Sequence, residues 1–166
     1  MIIVGILTAS DKGYRGQRED LSGQVIREMV KKIKGEVKYY RVVPDEKDII
    51  KNELIKMCDE GIDLIITTGG TGLSPRDVTP DATLEVIEKQ IPGMAEAMRA
   101  KGIVVTPHAM LSRAVCGVRG KTMIINLPGS PKAVRENLEV VLKAIPHGID
   151  VLKGQVEDCA RGRLKN

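Results

Sequence analysis

Short runs of aliphatic residues, each followed by small or polar residues, constrain the fold of this chain more than any other feature. Residues 2–8 (IIVGILT) and 62–68 (IDLIITT) are nearly continuous runs of this kind. Such runs are typical of strands that are buried on both faces, as in a parallel sheet. Residues 37–43 (VKYYRVV) are rich in residues that favour β-structure and predict a further strand.

Stretches with apolar residues at helical spacing alternate with these strands. Ser22 is the predicted N-cap of one helix, which Gly35 closes. Asp45 is the predicted N-cap of the next helix, which ends before Gly61. The chain therefore alternates between strand and helix from its first residues onward.

Two later helices are predicted from a shared signature at their first residues. Thr79-Pro80 and Ser130-Pro131 each place a candidate cap before a proline at the first helical position. The helix from Pro131 has a clear apolar face, formed by Val134, Leu138, Val141, Leu142 and Ile145.

A hairpin is predicted where residues 112–118 and 122–127 flank Arg119-Gly120-Lys121. A hairpin within an otherwise alternating chain predicts an α/β fold with three layers, α/β/α. Its sheet is expected to be mixed but mostly parallel, with about five strands, one of them antiparallel. We predict a single domain over residues 1–153, followed by a polar tail over 154–166 that frays.

Composition excludes several function classes. Phe and Trp are absent and only three Tyr are present, which disfavours a stacking surface for single-stranded nucleic acid. The chain has no apolar run of about 18 residues and no leader pattern, so we expect a cytoplasmic protein that binds no membrane. Three scattered Cys and two distant His form no zinc pattern. The formal net charge of +4 is compatible with an anionic ligand.

Three predicted strand ends carry residues that suit ligand binding, because ligands of open α/β sheets collect at the carboxyl ends of strands. The segments are Ser10-Asp11, Thr68-Gly69-Gly70-Thr71-Gly72 and Asn126-Leu127-Pro128-Gly129-Ser130-Pro131-Lys132. The last two contain glycine and lead towards helix N-termini, where free N–H groups and the positive dipole end favour phosphate. A plain tight turn would also explain the glycines at 69, 70 and 72.

Asp77 is a candidate Mg²⁺ ligand, and Asp45, which follows a predicted strand, could face the same crevice. An acid beside a phosphate site is unfavourable unless a cation lies between them, and Mg²⁺ binds one or two carboxylates together with phosphate oxygens. A solvated turn residue remains an alternative for Asp77, as a helix cap does for Asp45. Arg76 and Lys132 are candidate phosphate-binding cations, although each could equally be a solvated surface charge.

Taken together, these segments resemble the molybdopterin-binding domain of molybdenum cofactor biosynthesis proteins. Residues 68–83 and 127–132 carry the resemblance, which extends from Leu7 over nearly the whole chain. Pro44-Asp45-Glu46 and residues 76–80 make the chain most similar to the MogA type within that superfamily, the molybdopterin adenylyltransferases. The MoaB type is a sister branch of similar overall sequence.

The resemblance implies a homotrimer that transfers AMP from Mg-ATP to the terminal phosphate of molybdopterin, with release of pyrophosphate. It implies that the product passes to a molybdenum-inserting enzyme. It also implies that Asp45 and Asp77 are the functional acids, and that loops 68–72 and 126–132, with Ser10 and Asp11, bind the substrates. A MoaB-like trimer that binds molybdopterin without adenylylating it remains an alternative, as does another enzyme on this fold.

Overall fold

A computed structural model describes residues 1–155, which form one six-stranded sheet with helices on both faces. The strands, in chain order, are β1 (Ile2–Ala9), β2 (Gly35–Val43), β3 (Leu64–Thr68), β4 (Lys89–Gln90), β5 (Cys116–Arg119) and β6 (Thr122–Leu127). Their order across the sheet is β2-β1-β3-β6-β5-β4. The pairs β1–β2, β1–β3 and β3–β6 are parallel, whereas β5 runs antiparallel to both of its neighbours.

The predicted fold class is confirmed, with one correction to the strand count. The sheet has six strands instead of about five, because β4 adds a two-residue strand at the edge beside β5. Two exposed polar residues carry no strand periodicity, so their pairing could not be predicted from the sequence. The antiparallel strand is β5 of the predicted hairpin, whose turn contains Gly120 at a φ of +55°.

Seven α-helices accompany the sheet in the described part of the chain. They are α1 (Asp11–Tyr14), α2 (Leu21–Val30), α3 (Lys47–Asp59), α4 (Thr79–Leu84), α5 (Pro92–Val105), α6 (Pro131–Val141) and α7 (Ile145–Leu152). Helices α2, α5, α6 and α7 contribute to one buried apolar cluster, while α3 and α4 contribute to a second one. Within residues 1–155 no helix is long and apolar enough to cross a lipid bilayer.

The predicted end residues of α2 are both wrong. Asp20 is its N-cap, since its carboxylate accepts from the N–H of Gly23 at 2.9 Å. The hydroxyl of Ser22 instead donates to the carbonyl of Gly129. After α2 a 3₁₀ turn follows, and Lys34 adopts the left-handed conformation expected of Gly35.

Two other predicted caps are wrong, and one is confirmed. Asp45 caps no helix, because α3 begins at Lys47 after Glu46. Thr79 lies inside α4 as its first residue, with Val78 before it. Ser130 does cap α6, accepting from the N–H of Ala133 at 3.2 Å.

Two helices differ from the sequence prediction in number or extent. No pattern in the sequence indicated α5, whose apolar residues do not gather on one narrow stripe. Ile145 was predicted on the same helix as Val134, but α6 ends at Val141 and Pro146 lies in the first turn of the separate helix α7. The domain boundary at 153 stays a prediction, and most of the predicted tail falls at 156–166, outside the described residues.

Candidate functional site

A cleft of about 630 Å³ opens at the carboxyl ends of the parallel strands β1 and β3. Several of the predicted site residues line it: Ser10, Asp45, Thr68, Gly69, Gly70, Asp77, Gly129 and Ser130. Residues that the sequence did not single out also line it, among them Thr8, Arg18 and Asp20. The cleft is therefore built from the three strand ends that the sequence indicated.

Hydrogen bonds between the loops fix the floor of the cleft. Gly69 donates its N–H to the carbonyl of Leu127 at 3.2 Å, and the hydroxyl of Thr68 donates to the carbonyl of Pro128 at 2.6 Å. Gly69 has a φ of +92°, and a Cβ at this position would collide with the carbonyl oxygen of Ala9. Only glycine therefore allows the loop after β3 to lie directly against the end of β1.

Two helix N-termini meet at this cleft. Asp20 and Ser130, the N-caps of α2 and α6, both line it. The bond from Ser22 to the carbonyl of Gly129, at 2.6 Å, joins the first turn of α2 to the loop before α6. Two positive dipole ends make the cleft suitable for an anion such as phosphate.

Asp45, which lines the cleft, belongs to a network of acids that extends beyond it. The N–H of Asp11 donates to Asp45 Oδ2 at 2.9 Å, and the N–H of Asp45 donates back to Asp11 Oδ1 at 3.1 Å. The guanidinium of Arg76 donates to both carboxylate oxygens of Asp11 and to Glu46. These bonds lower the pKa of Asp11 and occupy Arg76, the predicted phosphate-binding cation.

Asp45 and Asp77 both line the cleft, and their charges interact. Burial raises the pKa of Asp45, and the nearby charges of Asp11 and Asp77 raise it further. Within residues 1–155 no group of three or more His, Cys, Asp or Glu side chains is arranged to bind a metal ion. Mg²⁺ at a phosphate site needs only one or two carboxylates, with phosphate oxygens and water as its other ligands. The pair therefore fits Mg²⁺ that arrives with a phosphate-bearing substrate.

Several predicted site residues do not line the cleft. Asn126 is completely buried, and its side chain bonds to Thr67, Thr83 and the N–H of Val115, so that it holds β6 to its neighbours. Lys132 is largely exposed, and its one ion-pair partner within residues 1–155 is Glu136. The others outside the cleft lining are Asp11, Thr71, Gly72, Arg76 and Pro128.

Arg113 is a residue that sequence reasoning missed. It donates to the carbonyl oxygens of Gly72 and Asp77 and forms two bonds to the carboxylate of Asp81. Its own N–H donates to the carbonyl of Thr71 at 2.9 Å. Arg113 thus binds the loop after β3 from outside the cleft lining. No local pattern indicated this, because its partners lie more than 30 positions earlier in the chain.

Asp20 is a second missed residue. Its carboxylate accepts from the hydroxyls of Thr8 and Tyr40, and from the N–H of Gly23, so it ties β1, β2 and α2 together beside the cleft. The sequence did carry a local signal for it. Asp20 stands directly before the apolar periodicity of α2, which is where an N-cap belongs.

The chain is similar in sequence to a known protein family and in structure to a solved protein. Residues 5–147 match the family model described as "Probable molybdopterin binding domain". The molybdopterin adenylyltransferase of Helicobacter pylori strain 26695 is 48% identical over 156 residues, which cover 92% of this chain and 89% of that protein. Gephyrin of Dictyostelium discoideum is 44% identical over 163 residues, which cover 92% of this chain and 23% of that protein. The crystal structure of the molybdopterin biosynthesis enzyme MoaB from Thermus thermophilus is 54% identical, with a TM-score of 0.88, and the match covers 93% of this chain and 98% of that one.

Proposed function

The chain belongs to the family of probable molybdopterin binding domains, and we propose that it is a molybdopterin adenylyltransferase of molybdenum cofactor biosynthesis. In this proposal it transfers AMP from Mg-ATP to the terminal phosphate of molybdopterin and releases pyrophosphate. The single observation that carries the proposal is the cleft, in which Asp45 and Asp77 stand beside a glycine loop and two helix N-termini. Such a site suits two phosphate-bearing substrates and a divalent cation.

The reaction requires charge neutralisation more than proton transfer. A terminal phosphate oxygen of molybdopterin attacks the α-phosphorus of ATP, and the bond from that phosphorus to the β-bridging oxygen breaks, so pyrophosphate leaves with the electron pair. The attacking phosphate is already an anion near neutral pH and needs no general base. Neither His108 nor His147 lines the cleft, in agreement with this requirement. Positioning and electrostatic stabilisation are then the main contributions to catalysis.

Different residues are proposed to bind the cation and the phosphates. Asp45 and Asp77 would hold Mg²⁺, which when bound neutralises phosphate charge and orients the reacting groups. Backbone N–H groups of Gly70, Gly129 and Ser130 would bind the phosphates, together with the hydroxyl of Ser10. The N–H of Gly69 and the hydroxyl of Thr68 already donate to the end of β6 and the loop after it, and the Asp11 carboxylate is paired with Arg76. Arg76 could reach a phosphate only by releasing Asp11 and Glu46, and Lys132 only from its exposed position outside the cleft lining.

A homotrimer is part of the proposal. Exposed apolar side chains gather on the last turns of α5 and the 3₁₀ segment Pro107–Leu111: Ile103, Val104, Val105, Met110 and Leu111. We call these five residues the apolar face. The groove beside them, about 310 Å³, reaches Thr71 and Gly72 behind the glycine loop. A second copy of the chain would cover this face and support the loop, in a cytoplasmic enzyme that passes its product to a molybdenum-inserting partner.

The alternative is a MoaB-like trimer that binds molybdopterin without adenylylating it. The similarity to a structure called MoaB is the observation that favours it. Both functions use the same cleft, so fold and pterin binding do not separate them. Turnover of ATP that depends on Asp77 does.

The decisive experiment mixes the purified protein with molybdopterin and Mg-ATP and detects adenylylated molybdopterin by mass spectrometry. Asp77→Asn should lower the rate by about 10²-fold or more, because it removes a charge that holds the cation. Its affinity for molybdopterin should stay nearly unchanged. Asp59→Asn, at an exposed acid on α3 outside the cleft lining, is the matched control and should retain full activity.

Two results would contradict these assignments. Equal loss of pterin binding and turnover in Asp77→Asn would remove Asp77 from its proposed role in catalysis. Absence of product from the wild type, with molybdopterin still bound, would favour the MoaB-like function.

A further inference from the structure

The hydroxyl of Thr79 is the one buried side-chain polar group within residues 1–155 that has no hydrogen-bond partner. Thr79 is completely buried at the start of α4. An unpartnered buried hydroxyl destabilises a fold, and native proteins pair nearly all such groups. A valine would fill the same space without this penalty. The hydroxyl therefore needs an explanation other than stability.

The backbone of Thr79 is held firmly on both sides, so the direction of its Cα–Cβ bond is fixed. Its N–H donates to the carbonyl of Gly70 at 3.1 Å, and its carbonyl accepts from the hydroxyl of Thr83 at 2.9 Å. By contrast, the buried hydroxyls of Thr83 and Thr122 both have partners. Among the side-chain polar atoms that are fully shielded from solvent in the described residues, Thr79 Oγ1 is thus the exception.

The free hydroxyl points to the spot where Gly70 and Asp45 meet. A Cβ at Gly70 would collide with Thr79 Oγ1, and the same point lies 3.5 Å from Asp45 Oδ1. Gly70 has a φ of +66° and no side chain, so no Cβ of residue 70 lies between the hydroxyl and the carboxylate. Asp45 Oδ2 accepts from the N–H of Asp11, whereas Oδ1 takes part in no hydrogen bond within the described part of the chain.

We infer that Thr79 is a positioning residue for Asp45, and that its hydroxyl donates to Asp45 Oδ1 when the cleft holds a divalent cation and its phosphate-bearing substrate. This inference rests on the proposed function. Asp45 and Asp77 line one cleft and repel each other when no cation lies between them. A bound cation removes that repulsion and draws Asp45 inward, and the hydroxyl then fixes the carboxylate in its loaded orientation. The hydroxyl is left unpartnered until that point.

The test replaces the hydroxyl without changing the shape of the side chain. Thr79→Val should keep or raise the melting temperature, because it removes an unsatisfied buried group. It should lower kcat by about 10-fold, the factor expected for loss of one hydrogen bond to a charged group, and raise the Mg²⁺ concentration needed for half-maximal rate. The KM for molybdopterin should change much less. Thr79→Ser retains the hydroxyl and should restore kcat to within about threefold.

Thr122→Val is the matched control. Thr122 is the first residue of β6, where its hydroxyl donates to the carbonyl of Ile62, whereas the cleft lies beyond the last residue of that strand. This variant should therefore lower the melting temperature and leave kcat unchanged. The two valine variants are therefore expected to change stability and activity in opposite ways. A role of Thr79 in folding alone would give the same pattern in both.

A binding measurement separates this inference from the proposed function. Mn²⁺ is titrated into each variant in the presence of a non-hydrolysable ATP analogue and followed by electron paramagnetic resonance. Thr79→Val should weaken Mn²⁺ binding several-fold, while Thr79→Ser and Thr122→Val should not. If the wild type makes no adenylylated product, the proposed function fails and this titration still decides the inference. Unchanged kcat and Mn²⁺ affinity in Thr79→Val, or a clear fall in its melting temperature, would overturn it.

Discussion

Arg113 illustrates how one side chain outside the cleft lining can set the geometry of the cleft. Its guanidinium serves two backbone carbonyls of the loop after β3 and the carboxylate of Asp81, all at 3.2 Å or less. The planar guanidinium of an arginine has five N–H donors and can bond to three such acceptors at once. The ammonium group of a lysine, on its flexible stem, cannot. The same contact lowers the pKa of Asp81. The position of Asp77 thus depends on a residue that follows it by 36 positions.

Arg113→Lys is expected to destabilise the protein by about 1–3 kcal/mol, because it leaves loop carbonyls without donors. The adenylylation rate should fall as well, since the loop that carries Asp77 loses its support. Urea unfolding and the mass-spectrometric assay measure the two effects. Arg135→Lys is the control, because Arg135 makes only an exposed ion pair with Glu28, and it should change stability by less than about 0.5 kcal/mol. Equal effects of the two substitutions would contradict the role given to Arg113.

At the scale of elements, the cleft depends on how closely the loop after β3 approaches the end of β1. Gly69 and Gly61 both have a positive φ, at +92° and +77°. A Cβ at Gly69 would meet the carbonyl oxygen of Ala9, while a Cβ at Gly61 would meet no atom within 4 Å. Alanine at Gly61 would therefore be destabilised by the backbone conformation alone, whereas alanine at Gly69 would also collide with the neighbouring strand.

Gly61→Ala should destabilise the protein by about 1–2 kcal/mol, the usual penalty of a left-handed conformation for a residue with a Cβ. Gly69→Ala carries the same penalty and also forces β1 and the loop apart, so its effect should exceed about 3 kcal/mol. Gly69→Ala should also abolish adenylylation, whereas Gly61→Ala should leave it intact. Chemical denaturation with the product assay tests both statements. Similar losses of stability would show that the close approach to Ala9 does not matter.

The elements also show what the sequence could and could not predict. Strands β1 and β3, the cap of α6 and the three loops of the cleft were predictable, because apolar runs, Ser-Pro and glycine clusters are local patterns. The role of Ser22 was not predictable, because its hydroxyl bonds to Gly129, more than 100 residues away. Asp45 likewise pairs with Asp11 instead of capping α3.

The same limit applies to the candidate site. Asp45 and Asp77 follow recognisable motifs, so their presence in one cleft could be predicted. Thr79 was predicted as a cap because it precedes a proline. Its unpartnered hydroxyl became visible only with Gly70 and Asp45 beside it. Residues whose roles depend on distant partners carry no local pattern that could reveal them.

At the scale of the whole molecule, the cleft and the apolar face are connected through the glycine loop. Val104 and Val105 are 82% and 59% exposed, which is unusual for adjacent aliphatic residues on one helix. The groove next to them ends at Thr71 and Gly72, whose carbonyls are the acceptors of Arg113. A subunit bound there would restrict the loop from the side opposite the substrates.

Val104→Glu should therefore prevent assembly, because a trimer contact would bury an unpaired carboxylate. Sedimentation of the wild type should give three times the chain mass of 18.1 kDa, and the variant should sediment as a monomer. Ile49→Glu is the matched control, since Ile49 is 42% exposed on α3, the helix that packs on the other face of the sheet. It should remain trimeric and active. If the partner subunit supports the loop through the groove, the Val104→Glu monomer should remain folded by circular dichroism but lose turnover. A fully active monomer would show that the loop is held by Arg113 alone and that assembly serves another purpose.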